Sequence, residues 1–418
     1  MSPLLLIGEA TVALDAEDFL IVVTVAAFAG TLGVVLGGRG VLVPTVVIEL
    51  LLGVVIGPEV LGLDTSDFLE FFSNLGLGML FFFAGYEIDL RRIAGAPLRL
   101  AVLGWAVSLA LAYSIGGVLA AAGIVLSLLY TGSALATTAI GTLIPILSDS
   151  GQLRTRFGTY LLAGGAVGEF GPILLLTLFL SSESALHNAI ILVVFVALAV
   201  GVAVLAVRSS GRTVPVLERT IHMSSQLAVR WIVVLVFALA ALAAELGLDL
   251  LLGGFAAGLI TRQVLAEREV PSFDARLTAV AFGVFIPFFF VFSGMQLDVA
   301  ALFSSWGSVA KMLMFFVLFL VVRGAPALWL YRGVLDRRQR ISLAFFLSTQ
   351  LPLVLAITTL AVEGGHMRSS TAASLVGAAV LSTLCFPILG LRFSDDTGTR
   401  DRGDTSERAA AVPAGSSG

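Results

Sequence analysis

Long apolar runs, separated by short polar stretches, fill the chain from residue 18 to residue 392. A helix crosses the hydrocarbon core of a bilayer with about 20 apolar residues. The pattern therefore predicts an all-α polytopic membrane protein with about thirteen transmembrane helices. The predicted spans are 18–38, 41–57, 69–88, 97–121, 124–147, 153–181, 186–207, 226–246, 248–263, 273–296, 303–331, 339–362 and 370–391.

Composition agrees with this class of protein, since 58% of the residues are hydrophobic and only 12% are charged. A soluble globular chain carries about 25% charged residues. The single cysteine, Cys385, excludes an internal disulfide framework. Residues 1–17 are expected to form an extracellular lead-in, and the polar, low-complexity residues 393–418 a disordered cytoplasmic tail.

The charged residues alternate along the predicted spans. Most of the 24 basic residues follow odd-numbered spans. The gaps after even-numbered spans carry mainly acids, namely Asp64, Asp67, Glu70, Glu183, Glu245, Asp249 and Glu363. Cytoplasmic loops of membrane proteins are enriched in Lys and Arg. We therefore expect a multi-pass protein of the bacterial inner membrane with its N-terminus outside and its C-terminus in the cytoplasm.

Two segments of the chain resemble each other. FFFAGYEIDL at 81–90 matches FVFSGMQLDV at 290–299, which pairs Gly85 with Gly294 and Asp89 with Asp298. An odd number of intervening spans turns the second copy upside down, and inverted repeats are typical of secondary transporters. Chance similarity between apolar segments is the alternative. The predicted parts are a first repeat with a linker helix (18–207), an interfacial cytoplasmic linker (208–225) and a second, inverted repeat (226–392).

Four charged residues inside predicted spans are candidates for a functional role, because charge within the bilayer is costly and often marks a transport pathway. Glu169 lies among the glycines of AGGAVGEFGPI, which we expect to admit water, an ion or a close helix. Glu49 has either a pairing or a transport role, and Lys311 is expected to be structural. Arg323 is a fixed counter-charge, because an arginine does not lose its proton in proteins. A buried ion pair that only holds helices together is the alternative for each.

Two spans contain polar, helix-breaking stretches at equivalent places in the two repeats, 131–147 and 346–360. Unwound backbone at membrane depth is tolerated only where it is buried or lines a cavity. The sequence thus predicts two broken helices that cross beside Glu169, with ordinary kinks as the alternative. The polar and proline residues of these stretches are Thr137, Thr138, Ser348, Thr349, Gln350 and Pro352.

These segments resemble the monovalent cation:proton antiporter superfamily, in its bacterial second branch of sodium/proton and potassium/proton exchangers. IELLLGVVIGPEVLGL (48–63), LGMLFFFAGYEIDLRR (77–92), SALATTAI (133–140) and LSTQLPLVLA (347–356) are similar to motifs of that family. The resemblance implies crossing helices, an ion site at Glu169 and a basic residue at Arg323. The chain departs from the family at Gly168, where an Asp or Asn precedes the ion-binding acid.

The hypothesis that follows is electroneutral exchange of one sodium or potassium ion for one proton at Glu169, by alternating access. Oxygen ligands for the ion are expected from Thr137, Thr138 and backbone carbonyls, while Arg323 and Glu49 compensate charge. A homodimer in the bilayer is expected, with no cofactor, no nucleic-acid partner and no enzymatic activity. The alternatives are a transport-inactive sensor or structural protein that keeps the fold and, less favoured, a channel.

Overall fold

A computed structural model describes residues 16–39, 43–88, 90–153, 155–179, 185–220, 226–248, 250–265, 271–303 and 305–394. These residues contain helices, turns and connecting segments but no β-strand. Most of the predicted lead-in, most of the predicted tail, Asp89 and residues 221–225 of the predicted linker lie outside the described residues.

The α-helices are numbered along the chain. They are α1 (Ala16–Gly38), α2 (Thr45–Ile56), α3 (Asp67–Tyr86), α4 (Leu90–Ile93), α5 (Ala96–Ala121), α6 (Leu128–Leu135), α7 (Ile140–Asp149), α8 (Arg156–Phe179), α9 (Ala185–Thr220), α10 (Leu227–Glu245), α11 (Leu250–Leu265), α12 (Pro271–Val280), α13 (Ile286–Met295), α14 (Val299–Phe303), α15 (Trp306–Phe319), α16 (Ala325–Leu330), α17 (Arg337–Leu347), α18 (Pro352–Glu363) and α19 (Ser369–Ser394).

Within the described residues, 9 helical segments are long and apolar enough to cross a membrane. Three shorter apolar segments, 45–56, 128–144 and 251–265, accompany them. This confirms the all-helical, multi-pass class, while the count of thirteen spans stays a prediction. Helix α9 continues without interruption to Thr220, so the first part of the predicted linker extends the preceding helix.

Two π-helical turns interrupt longer helices. Residues Ala281–Phe285 join α12 to α13, and residues Leu320–Gly324 join α15 to α16. In both cases a proline, Pro287 or Pro326, follows within the first two residues of the next helix. A proline offers no backbone N–H, so the hydrogen-bond register before it shifts at low cost. The second turn carries Arg323.

The chain divides into two compact units, of which the first contains residues 1–92 and 172–309. In this unit α3 packs on α11, and α2 packs on α13. Glycines allow both pairs of backbones to touch. A Cβ on Gly85 would collide with the carbonyl of Phe255, and a Cβ on Gly294 with the carbonyl of Leu50. Each of the two glycines that the sequence comparison pairs thus lies against a backbone carbonyl of another helix.

The second unit contains residues 93–171 and 310–418. Its core consists of buried side chains from α7, α8, α16, the turn after α16 and α17. They include Leu143, Tyr160, Tyr331 and Phe346. The rings of Tyr160 and Tyr331 meet edge to face with centroids 5.9 Å apart. The cluster includes Phe157, Tyr160 and Leu161 from the start of α8, the helix that carries Glu169.

Candidate functional site

Both predicted breaks are present, and both lie in the second unit. Ala136, the C-cap of α6, and the non-helical residues 137–139 separate α6 from α7, and residues 348–351 separate α17 from α18. Pro352 begins α18, where the missing N–H of a proline costs no hydrogen bond. The polar side chains of the breaks are buried, with exposed fractions of 0–1%. These are Thr137, Thr138, Ser348, Thr349 and Gln350.

The two breaks contact each other directly. The backbone N–H of Ala139 donates to the carbonyl of Thr349 over 2.8 Å. The hydroxyl of Thr137 donates to Oε1 of Gln350 over 2.8 Å. Nε2 of Gln350 donates in return to the carbonyl of Leu135 over 3.2 Å. The backbone groups freed by one break are therefore satisfied partly by the other, as buried polar groups must be.

Helix α19 holds the second break from its other side. Gln350 donates its backbone N–H to Oγ of Ser382 over 3.0 Å. Its carbonyl accepts from Oγ of Ser382 and from Oγ1 of Thr383, each over 3.1 Å. Sequence reasoning missed Ser382 and Thr383. Two adjacent hydroxyls in an otherwise apolar helix were the available signal.

Glu169 is buried, with an exposed fraction of 1%. Its carboxylate accepts hydrogen bonds from the backbone amides of Ile140 and Gly141, the first two residues of α7. Helix N-termini stabilise negative charge through these free amides. The carbonyl of the preceding Gly168 accepts from the backbone N–H of Thr138 over 3.1 Å. Helix α8 thus contacts the first break at the residue next to Glu169.

The second oxygen of this carboxylate is unsatisfied. Within the described residues Oε2 of Glu169 is buried and has no hydrogen-bond partner. An unmade hydrogen bond on a buried polar atom costs about 1–3 kcal/mol, and more on a charged one. A cation would supply a partner for this oxygen and a proton would cancel its charge, so Oε2 is the candidate point of attachment for either ligand.

The glycines around Glu169 bring neighbouring side chains close to α8, in line with the close-helix alternative of the sequence prediction. A Cβ on Gly164 would meet Leu347, and a Cβ on Gly165 would meet Ile140. A Cβ on Gly168 would meet the guanidinium of Arg323. These glycines therefore fit α8 closely against its neighbours.

Arg323 is buried, with an exposed fraction of 3%, and its three hydrogen bonds go to neutral oxygens. Nε donates to Oγ1 of Thr138 over 2.9 Å, and Nη2 to the carbonyl of Gly164 over 3.1 Å. Nη1 donates to Oγ of Ser108 over a longer 3.4 Å. The guanidinium thus makes no hydrogen bond to a carboxylate in the described part of the chain. The counter-charge predicted at Arg323 could serve a carboxylate or a helix C-terminus, and these contacts favour the helix C-terminus.

The helix ends explain this arrangement. Oγ1 of Thr138, which accepts from Arg323, donates in turn to the carbonyl of Leu347 over 2.6 Å. Leu347 is the last residue of α17. Helix C-termini carry partial negative charge. Arg323 therefore lies near such an end, while Glu169 lies at the N-terminus of α7. Because Thr138 Oγ1 already accepts from a cationic guanidinium, this conformation does not offer that oxygen to an ion.

Two other predicted residues lie apart from this set. Glu49 is on α2 in the first unit, buried with an exposed fraction of 5%, and its carboxylate makes no hydrogen bond to the described residues. Lys311, on α15, donates from Nζ to Oγ of Ser370 over 3.5 Å, in keeping with a structural role. No cluster of three or more His, Cys, Asp or Glu side chains suited to a metal occurs in the described ranges.

Comparison with known proteins gives consistent results. The family described as sodium/hydrogen exchanger, transmembrane, matches residues 21–390. A putative Na(+)/H(+) antiporter of Bacillus subtilis, YjbQ, is 25% identical over 368 residues, which cover 83% of this chain. This chain spans only 58% of that relative's length. The Na(+)/H(+)-K(+) antiporter GerN of Bacillus cereus is 29% identical over 281 residues, 64% of this chain and 68% of that protein.

A solved structure has the same fold. The sodium proton antiporter MjNhaP1 from Methanocaldococcus jannaschii superposes with a TM-score of 0.65 over 91% of this chain and 96% of that one, at 15% identity. The predicted resemblance to cation:proton antiporters is confirmed, and the matched family is one of transporters rather than enzymes. Since the family match extends over most of its length, this multi-pass membrane protein belongs to the sodium/hydrogen exchanger family.

Proposed function

We propose that the protein exchanges a monovalent cation, sodium or potassium, for protons, with Glu169 as the carrier of both. The observation that carries the proposal is the buried Oε2 atom of Glu169, which has no partner among the described residues. The names of the relatives support sodium and, in the case of GerN, potassium. Either a proton or a cation fills Oε2, and they exclude each other.

Competition at one carboxylate is sufficient to couple the two fluxes. The protonated form and the cation-bound form are both uncharged at Glu169 and cross the membrane in alternating access. The empty, anionic form does not, because a lone carboxylate is expensive to move through a desolvated state. One carboxylate and a guanidinium that stays protonated give one cation per proton, so no net charge moves.

The oxygen ligands of the cation are proposed from the first break. Thr137 is the better candidate of the two threonines, because its hydroxyl bonds only to neutral acceptors, the carbonyl of Ala134 and Oε1 of Gln350. Thr138 shares its oxygen with Arg323 and is better suited to fixing the crossing. Backbone carbonyls of the break complete the set when the site opens.

The proposed architecture is two inverted six-helix repeats joined by a linker helix, with thirteen spans in total. Gly85 and Gly294 support it, since they lie 209 residues apart and each contacts a backbone carbonyl on a helix of the other repeat. The charge pattern supports an inner-membrane protein with an external N-terminus and a cytoplasmic C-terminus. The scaffold that includes α1 and α2 is proposed to form a homodimer.

Proteoliposomes that enclose a pH-sensitive dye test the proposal. Addition of sodium or potassium chloride is expected to drive proton efflux in the unchanged protein. Glu169→Ala and Glu169→Gln should abolish that efflux. The matched control is Glu70→Gln, since Glu70 is an exposed acid in the first turn of α3. Cation-driven efflux that persists without the Glu169 carboxylate rules out the assigned carrier, and a rate that responds to membrane voltage rules out one-for-one exchange.

A transport-inactive sensor is the second candidate, and the guanidinium beside Gly168 favours it. This site has no second acidic or amide side chain at that position to help bind an ion. Calorimetry separates the two candidates. Heat of cation binding without any proton flux indicates a sensor, whereas both signals together indicate an exchanger.

A further inference from the structure

Trp105 differs from the other three tryptophans of the chain. Trp231, Trp306 and Trp329 are exposed by 64%, 89% and 61%, as expected for rings that face lipid or its interface. Trp105, on α5, is half-buried, and its Nε1–H donates to the carbonyl of Ala136 over 3.2 Å. Ala136 is the last residue before the first break, so the indole fixes the C-terminal end of α6.

The same indole ring fills a notch in α8, the space left by the missing side chain of Gly171. A Cβ on Gly171 would lie 2.5 Å from Cε2 and 2.7 Å from Cη2 of Trp105, which no side chain tolerates. Gly171 follows Glu169 by two residues. One ring therefore touches both the end of α6 and the part of α8 that carries the carboxylate.

Helix geometry shows on which side of α8 the indole lies. Side chains two residues apart on an α-helix point about 200° away from each other. The indole at Gly171 thus presses on the side of α8 roughly opposite the Glu169 carboxylate, which faces the amides of Ile140 and Gly141. Its N–H meanwhile holds Ala136, four residues before Ile140.

We propose that Trp105 is a positioning residue for Glu169. It sets the spacing between α8 and the first break so that the amides of α7 reach the carboxylate. This proposal rests on the proposed function of Glu169 as the ion carrier. Ser108, on the next turn of α5, accepts from Arg323, so α5 supports both charged groups of the site.

Two substitutions separate the ring from its N–H. Trp105→Phe keeps a ring for the Gly171 notch and removes the donor to Ala136, and it is expected to raise the cation KM of exchange about tenfold, the size usual for one lost buried hydrogen bond. The maximal rate should change by less than about twofold, as expected for a loss of binding alone. Trp105→Ala empties the notch as well and should lower the rate too. The control is Trp329→Phe, at an exposed ring.

A Trp105→Phe protein with unchanged cation KM and unchanged pH profile overturns the proposal. So does a Trp105→Phe protein whose KM is unchanged but whose rate falls in parallel with its folded fraction, since that pattern belongs to a purely structural residue.

Fluorescence gives a readout that is independent of transport. A variant with Trp231→Phe, Trp306→Phe and Trp329→Phe retains only Trp105. Its emission is expected to shift when sodium or protons bind, and Glu169→Gln should remove that shift. Emission that is indifferent to both ligands, in a protein that still exchanges, overturns the proposal. A further outcome separates the two proposals. If the emission titrates with pH only while Glu169 is present, but the protein shows no exchange, the positioning role is supported and the proposed exchange function is wrong.

Discussion

Arg323 occupies the volume that a side chain on Gly168 would fill. A Cβ built on Gly168 would lie 3.0 Å from Cζ of Arg323 and 2.8 Å from Oγ1 of Thr138, and closer still to Nη2. The residue next to the candidate carrier is therefore glycine for a steric reason. The positive charge lies where members of the resembled family place a second polar side chain.

The first prediction concerns the contact between Gly168 and Arg323. Gly168→Ala is expected to push the guanidinium away from Thr138 and to lower exchange tenfold or more, because a displaced buried charge loses hydrogen bonds of about 1.5–3 kcal/mol each. In an Arg323→Ala background the same change should cost less, because the clash with the guanidinium is missing and only the contact with Thr138 remains. A double-mutant cycle of exchange rates and thermal stability measures this coupling. Additive effects of the two changes would contradict it.

The second prediction concerns the hydroxyl that connects Arg323 to the crossing. Thr138→Val removes the acceptor for Nε of Arg323 and the donor to the carbonyl of Leu347. It should destabilise the protein by about 2–4 kcal/mol, since two buried groups lose a partner. Thr138→Ser retains both bonds and should stay near the unchanged protein. Thermal unfolding in detergent compares the pair, and equal stability of the valine and serine variants would disprove the bridging role.

The third prediction separates cation binding from transport. Sodium or potassium at 100 times its Kd should raise the free energy of unfolding by about 2.7 kcal/mol, because ligand binds the folded state alone. Glu169→Gln is expected to lose this response while it remains folded, since the amide is neutral and of the same size. Melting curves at constant ionic strength, with choline as the control cation, provide the measurement. A cation response that survives in Glu169→Gln places the ion elsewhere.

The fourth prediction concerns the support of the second break by α19. Gln350 uses both of its backbone groups on the hydroxyls of Ser382 and Thr383. Ser382→Ala with Thr383→Val should lower the free energy of unfolding by about 1–3 kcal/mol, because the buried backbone of Gln350 loses its partners. Ser114→Ala is the control, since that hydroxyl bonds only to its own helix at an exposed position. A double variant as stable as the control would remove the proposed support.

The fifth prediction concerns the first unit. Gly85→Ala and Gly294→Ala each drive a methyl group into a backbone carbonyl, so each is expected to cost at least about 1–3 kcal/mol, the usual price of overpacking. Gly30→Ala is the control, since nothing lies within 4 Å of a Cβ there. Both variants should keep the cation affinity of Glu169 in whatever fraction of protein folds. A stable Gly85→Ala protein would show that the α3–α11 contact yields more easily than this geometry indicates.

Much of the fold could be predicted from the sequence. Apolar length predicted the spanning segments, because the thickness of the bilayer fixes the length of an apolar helix. Threonines and a proline in apolar runs predicted the two breaks at Thr137–Ala139 and Ser348–Leu351. The adjacent hydroxyls of Ser382 and Thr383 were a signal of a polar contact, but neither they nor the indole of Trp105 could be assigned a partner, because the sequence does not tell which neighbour a side chain meets.

The sequence by itself determined that this is a helical membrane protein, that Glu169 is an ionisable group within an apolar segment and that two helices are interrupted. These properties follow from local composition, since the absence of water in the bilayer makes each charge and each unpaired backbone group costly. Only the tertiary structure decided what surrounds the carboxylate. The amides of α7, the indole of Trp105 and the guanidinium of Arg323 come from segments far apart in the chain, and their placement depends on side-chain volumes that must fit together without overlap.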